Sequence, residues 1–331
     1  MTEPPLDVLA IGNAIVDVIA ETTDSFLDAE GLTKGSMRLI DADEAERLYG
    51  HMGSARQVSG GSAGNTAAGI AALGARAGFI GQVATDQLGE FYAHDLRSAG
   101  VEFTTAAADQ GEPTARSMVL VTPDGHRTMN TFLGAAQHLR ASALDEAQIA
   151  ASAVLYLEGY LWDPETPRFA MVRAIEVARK AGRKVAFTLS DSFCIDRHRD
   201  GFNQLIDEGR IDILFANTDE IQALAAVPHL ETAIEAVRGK VETLVVTRGE
   251  QGALATRGSE RADVPAQPVG RVVDTTGAGD LFAAGFLTGY VRGLGLEDSL
   301  TLVAIAAAEV IQHYGARPEA DLKALAGDLL A

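Results

Sequence analysis

Short apolar, β-branched runs alternate with Ala-rich stretches of helical spacing along most of the chain. The runs predict strands at 8–11, 77–80, 154–157, 185–188, 213–216, 244–247 and 271–273. The stretches between them predict helices at 63–73, 88–98, 167–181, 219–225 and 231–238, and three more follow the last run, at 281–292, 296–313 and 320–330. Strand and helix in alternation mean βαβ units, hence a mostly parallel sheet covered on both faces.

One region breaks the rhythm. From Pro113 to Phe132 polar and apolar residues alternate, a Pro123-Asp124-Gly125 turn intervenes, and a second extended run begins at Arg127, which reads as a β-hairpin. A further extended piece, Ser36 to Ile40, follows Gly35. Antiparallel pieces set into a parallel fold suit a cover over one edge, such as a lid. No internal repeat or low-complexity linker divides the 331 residues, so one domain with a small lid is expected.

Composition changes little in this picture. Hydrophobic residues make up 47% and charged residues 22%, an ordinary globular balance, and only 6% are aromatic, so the core must be built from Ala, Val, Leu and Ile. The formal net charge of −19 argues against a nucleic-acid partner, since that binding rests on Lys and Arg. The one cysteine, Cys194, excludes an intramolecular disulfide and lies in no nucleophile motif. Residues 1–6 are short, acidic and contain proline, unlike a signal peptide, and the apolar stretch 300–311 is too short to cross a bilayer and carries Glu309. A soluble, cytoplasmic protein without membrane contact is expected. The seven His show no metal-ligand spacing, and His198 reads as part of a charged surface loop.

The chemistry concentrates in Asp274-Thr275-Thr276-Gly277-Ala278-Gly279-Asp280, placed between the predicted strand 271–273 and an apolar helix. Glycine lets the backbone approach a ligand, and the first N–H groups of a helix have no internal partners, so this turn is a phosphate site. A carboxylate beside it, Asp280, would repel a bound phosphate unless it takes the proton from a nucleophile attacking that phosphate. The alternative is an acid stabilising a helix N-terminus. There is no Gly-x-x-x-x-Gly-Lys-[Ser/Thr], which excludes a P-loop. A loose dinucleotide-like spacing, Gly277-x-Gly279 through Gly285, fails on context, because only helices follow it.

Other constellations are weaker alone. Gly60-Gly61-Ser62-Ala63-Gly64-Asn65 is either a turn with a helix cap or a hinge presenting Ser62 and Asn65 to a ligand. Asp17, beyond Gly12-Asn13, could bind vicinal hydroxyls or be a loop acid. Asn217-Thr218-Asp219-Glu220 is a good helix cap whose oxygens also suit Mg2+. Thr247 to Gly252 reads as a plain turn.

Together these residues resemble the ribokinase/PfkB family of carbohydrate and nucleoside kinases over about the whole chain. Both signatures are present: Gly60-Gly61-Ser62-x-x-Asn65 running on to Gly81-x-x-x-x-Asp86-x-x-Gly89, and the segment from Asp274 to Asp280. Asn217-x-x-Glu220 and Thr247-x-Gly249-x-x-Gly252 follow in family order. The resemblance implies a three-layer α/β/α ribokinase-like fold with a small β-sheet lid, from about 12–18, 33–41 and 113–133 of a single 1–331 domain. It implies Asp280 as the base, Gly277, Ala278 and Gly279 as the anion hole, and Arg127 as an anion-site arginine. It puts Asn217 and Glu220 beside Mg2+ and the phosphates, and Thr247, Gly249 and Gly252 along the ATP site. Asp274 and Thr276 match positions of a monovalent-cation site, which makes K+ a candidate activator.

The N-terminal half is most similar to adenosine kinase-like members, through Gly12-Asn13-x-x-x-Asp17, Phe26-Leu27, Gly31-Leu32-x-x-Gly35-Ser36-Met37 and Leu189-Ser190-x-x-Phe193. By that likeness Asp17 holds ribose hydroxyls, with Asn13, Gly61, Ser62 and Asn65 close by. Thr188 departs from the pattern, standing where those members commonly carry Asn. The function implied is ATP-dependent phosphorylation of a nucleoside 5′-hydroxyl. A sugar kinase of the same fold and a non-catalytic nucleotide-binding regulator are the alternatives, and the assembly is a monomer or homodimer.

Overall fold

The computed structural model describes residues 6–330; the acidic N-terminal residues 1–5 lie outside the described part. In chain order the strands are β1 (Val8–Ile11), β2 (Ile15–Glu21), β3 (Met37–Leu39), β4 (Ala55–Gly60), β5 (Ala77–Ile80), β6 (Glu102–Phe103), β7 (Ala115–Val121), β8 (Arg127–Phe132), β9 (Val154–Glu158), β10 (Lys184–Thr188), β11 (Ile213–Asn217), β12 (Thr243–Thr247), β13 (Ala253–Arg257) and β14 (Glu260–Val264). Nine form a large sheet in the order β14-β13-β12-β11-β10-β9-β1-β5-β6. It is parallel from β6 to β12, and the β13–β14 hairpin closes it antiparallel. Its central strands read as unbroken apolar runs because both faces are covered.

On one face lie the helices Ser62–Ala72, Ala278–Val291 and Leu296–Val310, packed through Ile70, Phe286, Leu287 and Val303. On the other lie Glu165–Lys180, Ser192–Asp207, Thr218–Ala225 and Leu230–Val237, with Ile175, Phe202, Ile221 and Ile234 turned inward. This is the α/β/α ribokinase-like arrangement. A Cβ on Gly285 would come 2.8 Å from the Val303 backbone, so the absence of a side chain lets two helices approach closely.

A second, five-stranded sheet has the order β3-β8-β7-β2-β4. The expected hairpin is β7–β8, and the extended piece after Gly35 is β3, paired in parallel with β8. Its back is covered by the helices Asp24–Ala29 and Ala42–His51 through Leu27, Leu48, Met118, Leu120 and Phe132. The carboxylate of Asp86 accepts bonds from the Gly89 N–H (2.7 Å) and from Thr114 N and Oγ1 (2.8 and 2.7 Å), tying the Gln87–Ser98 helix to the start of β7.

The structure departs from the sequence reading in several places. Residues 271–273 are not a strand: the Val273 N–H donates to Ile311 O (2.8 Å), a helix end, and Val272 is exposed. The apolar pair there belongs to a connection held by the C-terminal segment rather than by a sheet. The 320–330 helix is shorter, Leu322–Ala326 followed by a 3-10 turn. His198 is no loop residue; it sits at a kink in the Ser192–Asp207 helix with Nε2 2.6 Å from Asp163 Oδ1. That helix was masked by its run of charges, although Asp191 caps it and Phe202, Leu205 and Ile206 bury its apolar side. Cys194 is buried with its Sγ–H on Gly159 O, and burial pushes its thiol up to about 12. No helix among the described residues is long and apolar enough to cross a membrane.

Candidate active site

The C-terminal ends of β1, β9, β10, β11 and β12 point one way, and loops at that edge of a parallel sheet are where such folds bind ligands. Gly277 caps the Ala278–Val291 helix with φ +77°. A Cβ there would adopt a left-handed conformation and come 2.4 Å from Ala316 Cβ. Gly277→Ala should therefore cost about 1–3 kcal/mol or more and lower Tm in a calorimetric scan. Unchanged melting would show that the turn does not depend on this conformation. Around Gly279 the place of a Cβ is open space, and among the described residues its N–H takes no acceptor. The Ala278 N–H instead bonds Thr275 O at 3.2 Å, and the N–H groups of Gly277, Gly279 and Asp280 have no acceptor among the described residues.

Asp280 stands in the first turn of that helix. Its Oδ1 accepts from Ser62 Oγ at 2.7 Å and its Oδ2 from Asn65 Nδ2 at 2.9 Å. Burial raises its carboxyl to about 6, against the lowering effects of Ser62, Asn65 and Arg317. Both donors come from the Ser62–Ala72 helix, which starts at Gly61 with φ +85°. A Cβ on Gly61 would strike Asn13 O at 2.0 Å, so glycine is required where the two segments meet. Two signatures 218 positions apart thus converge on one carboxylate.

Glu158, at the end of β9, was not foreseen. It is fully buried, accepts from Asn13 N (2.7 Å), Asn13 Nδ2 (2.8 Å) and Ala63 N (2.8 Å), and burial lifts it to about 7. A signal was present: the first acid after an apolar run, at the carboxyl end of a central parallel strand. Thr188, the departure from the family pattern, lies beside it in register on β10. Arg317 was missed as well; nothing in its short Gly315-Ala316-Arg317-Pro318 context marks it.

Asp17 lies on β2, in the small sheet, and its carboxyl is raised to about 7 by burial, opposed by the charges of Arg127 and Arg317. The pairing register puts Ser117, Thr131 and Leu39 on the Asp17 side of that sheet in one row, and Ile19, Val119, Met129 and Met37 in the next. Arg127, opposite Val121 and Glu21, belongs to the same face. Met37 and Leu39 are 52% and 59% exposed, leaving this face open towards solvent. Arg127 contacts the buried carboxylate of Asp274, which also accepts from Thr276 N (3.0 Å) and Gly315 N (2.8 Å). The pair touches without an aligned hydrogen bond, and Arg127 Nε has no partner among the described residues. The hairpin turn meets the same segment, with a Gly125 Cβ position 3.5 Å from Val273 O.

Farther along the edge, Asn217 and Glu220 form a capping box: Asn217 Oδ1 accepts from Glu220 N (2.8 Å), and Glu220 accepts from Asn217 N and Nδ2 (3.0 and 2.7 Å). Burial raises Glu220 to about 7. Thr247 lies opposite Asn217 in register. Gly249 faces open space, whereas Gly252, at φ +83°, is a packing requirement, since a Cβ would meet Val264 O at 2.1 Å. Among the described residues no three His, Cys, Asp or Glu side chains converge on a metal position.

Free amide donors at a helix start, with a carboxylate beside them, are an arrangement that can activate a hydroxyl against a phosphate. The chain belongs to the family described as pfkB family carbohydrate kinase, whose pattern it matches over residues 7–322, and it is a kinase that phosphorylates a hydroxyl group of a nucleoside or sugar. The crystal structure of adenosine kinase from Sinorhizobium meliloti is 50% identical, with a TM-score of 0.91 over 97% of this chain and 98% of that one. A probable sugar kinase protein from Rhizobium etli CFN 42 is 47% identical, with a TM-score of 0.91 over 98% of both chains. A fructokinase of Salmonella typhimurium is 31% identical over 74% of this chain and 83% of its own length.

Proposed function

We propose that this kinase transfers the γ-phosphoryl group of ATP to the 5′-hydroxyl of adenosine or a closely related nucleoside. The observation that carries the acceptor assignment is the Asp17 face of the small sheet. There Asp17 stands in a row with Val58, Ser117, Thr131 and Leu39, beside a row of Ile19, Val119, Met129 and Met37, with Arg56, Glu21 and Arg127 farther along the same face. A carboxylate with hydroxyl side chains in its own row and an aliphatic and thioether row beside it suits a flat base joined to a diol, the polar row serving the hydroxyls and the apolar row the base. The likeness to the Sinorhizobium meliloti adenosine kinase supports the same reading.

In this reading Asp17 accepts bonds from the ribose hydroxyls, with Asn13, Gly61, Ser62 and Asn65 lining that end. Asp280 takes the proton as the 5′-oxygen attacks the γ-phosphorus; the new P–O bond forms and the bond to ADP breaks. Free amides of the Gly277–Gly279 turn and the Arg127 guanidinium stabilise the charge of the transferring group, while Thr247, Gly249 and Gly252 border ATP. Asn217 and Glu220 would lie by Mg2+, which when bound neutralises phosphate charge. A monovalent ion such as K+ beside Asp274 and Thr276 would have to share the Asp274 carboxylate with Arg127. The small sheet acts as a lid of a single domain, excluding water that would otherwise hydrolyse ATP. We place the enzyme in the cytoplasm as a monomer or homodimer, which light scattering distinguishes.

An ADP-release assay over adenosine, other nucleosides, ribose, fructose and gluconate-type acids tests the proposal. Adenosine should exceed fructose in kcat/KM by about 100-fold or more, the discrimination expected of a site built around specific polar contacts. Rapid fructose turnover with inert adenosine would overturn the nucleoside reading and favour the one suggested by the fructokinase relative. ATP binding without turnover of any acceptor would overturn both.

A further inference from the structure

Arg317 belongs to none of the motifs that identify the site, yet its guanidinium is the best-anchored cation near it. Nε donates to Ser59 O at 3.1 Å, Nη1 to Gly64 O at 3.0 Å, and Nη2 to Ser59 O and, at 2.9 Å, to Ser59 Oγ. These acceptors bracket Gly60-Gly61-Ser62, so the arginine fastens both ends of the turn from which Ser62 and Asn65 reach Asp280. On the far side, Asp95 Oδ2 accepts from Ser59 N (2.8 Å) and Ser59 Oγ (2.7 Å). The hydroxyl of Ser59 thus receives from Arg317 and gives to Asp95. Arg317 has no carboxylate of its own within ion-pair distance among the described residues; its charge acts at longer range on Asp95, Asp17 and Asp280.

We propose that Arg317 is a positioning residue of this active site: it clamps the turn that aims Ser62 and Asn65 at Asp280, and it is the shared counter-charge of the Asp17 and Asp280 carboxylates. This rests on the reading of Asp280 as the base. An enclosed carboxylate must be ionised to accept a proton, and burial works against that. The groups facing Asp280 are Ser62 and Asn65 from one helix, Arg317 from the C-terminal segment, Asp17 from β2, and Tyr156, Glu158 and Tyr160 from β9 and the turn after it. Among the described residues Arg317 is the cation whose charge lowers Asp280, and the charge of Asp280 in turn raises Asp17 and Glu158.

The test is the pH profile of kcat for Arg317→Met, Arg317→Lys and Asp280→Asn, using whichever acceptor the wild type turns over. Removing the charge should move the acid limb upward by about 1 pH unit and leave the KM for ATP within a few-fold of wild type. Lysine keeps the charge and should keep the limb. Arg317 also borders a surface cleft of about 460 Å³ shared with Arg56 and Pro318, so guanidinium added to Arg317→Ala should restore part of the lost rate. A limb unmoved in Arg317→Met, or a uniform loss at every pH matched by a lower Tm, would reduce Arg317 to a structural clamp and overturn the proposal. If Arg317→Met does not fold, Arg317→Lys decides, since a displaced limb despite a retained charge also overturns it. Full activity of Asp280→Asn would instead remove the base assignment itself, a separate outcome.

Discussion

Asp280→Asn should lower kcat by about 10²–10⁴, the usual contribution of one general base, with the KM for ATP little changed. The substitution keeps the shape of the side chain and removes only its capacity to take a proton. The fold should survive it, because the Ser62 hydroxyl can rotate to accept from the new amide where it now donates. Thermal stability should stay level or rise, since an enclosed carboxylate held near 6 by burial is costly to ionise. The sign of the pH effect follows. Below about 6 the wild-type carboxyl holds a proton and cannot take another, so wild-type kcat should fall as pH drops through that value. The residual rate of the variant should lack this limb. Near-normal turnover in stopped-time assays would end the assignment of Asp280 as base.

The second large effect is expected at Asp17. An ionised carboxylate accepting from two hydroxyls gives two charge-assisted bonds of about 1.5–3 kcal/mol each. Asp17→Ala should therefore cost about 10²–10⁴ in kcat/KM for the acceptor, at about 1.4 kcal/mol per decade, with ATP hydrolysis in the absence of acceptor unaffected. Burial raises Asp17 to about 7, so the binding-competent ionised form grows as pH rises through neutrality. Acceptor KM should improve over that interval, and bound hydroxyls should hold the group ionised to lower pH. An equal loss in acceptor-independent hydrolysis would place Asp17 in phosphate chemistry instead.

Sequence patterning reached the parallel strands and most of the large helices because buried strands and amphipathic helices have different periods. It reached the Asp280 turn because free helix-start amides and a neighbouring acid are local features. What it could not reach is assembled across the chain. Asp17 and Met37 share a face only through the register of β2, β7, β8 and β3, which no local pattern specifies. Strand β2 alternates in burial, but apolar Ile15 and Ile19 on its outward side blur that alternation in the sequence, and the edge position of β14 leaves it largely polar. Residues 271–273 looked like a strand because two valines follow an arginine, but a strand needs a partner and this segment pairs with a helix end. Glu158 and Arg317 make their contacts with groups 95 or more positions away, so their local sequence contains neither partner.

The contact between Arg127 and Asp274 bears on how the enzyme lets go of what it binds. In the proposed reading the guanidinium serves the transferring phosphate, yet it already contacts an anion, and that anion is buried and fixed by two backbone amides. Drawing Arg127 to a phosphate leaves Asp274 with an unmatched charge in a poorly solvated place, an expense that grows with burial. The two anions therefore compete for one cation. If Arg127 does serve the transferring phosphate as proposed, phosphate is gripped against a restoring pull, and that pull limits how long a charged product can stay.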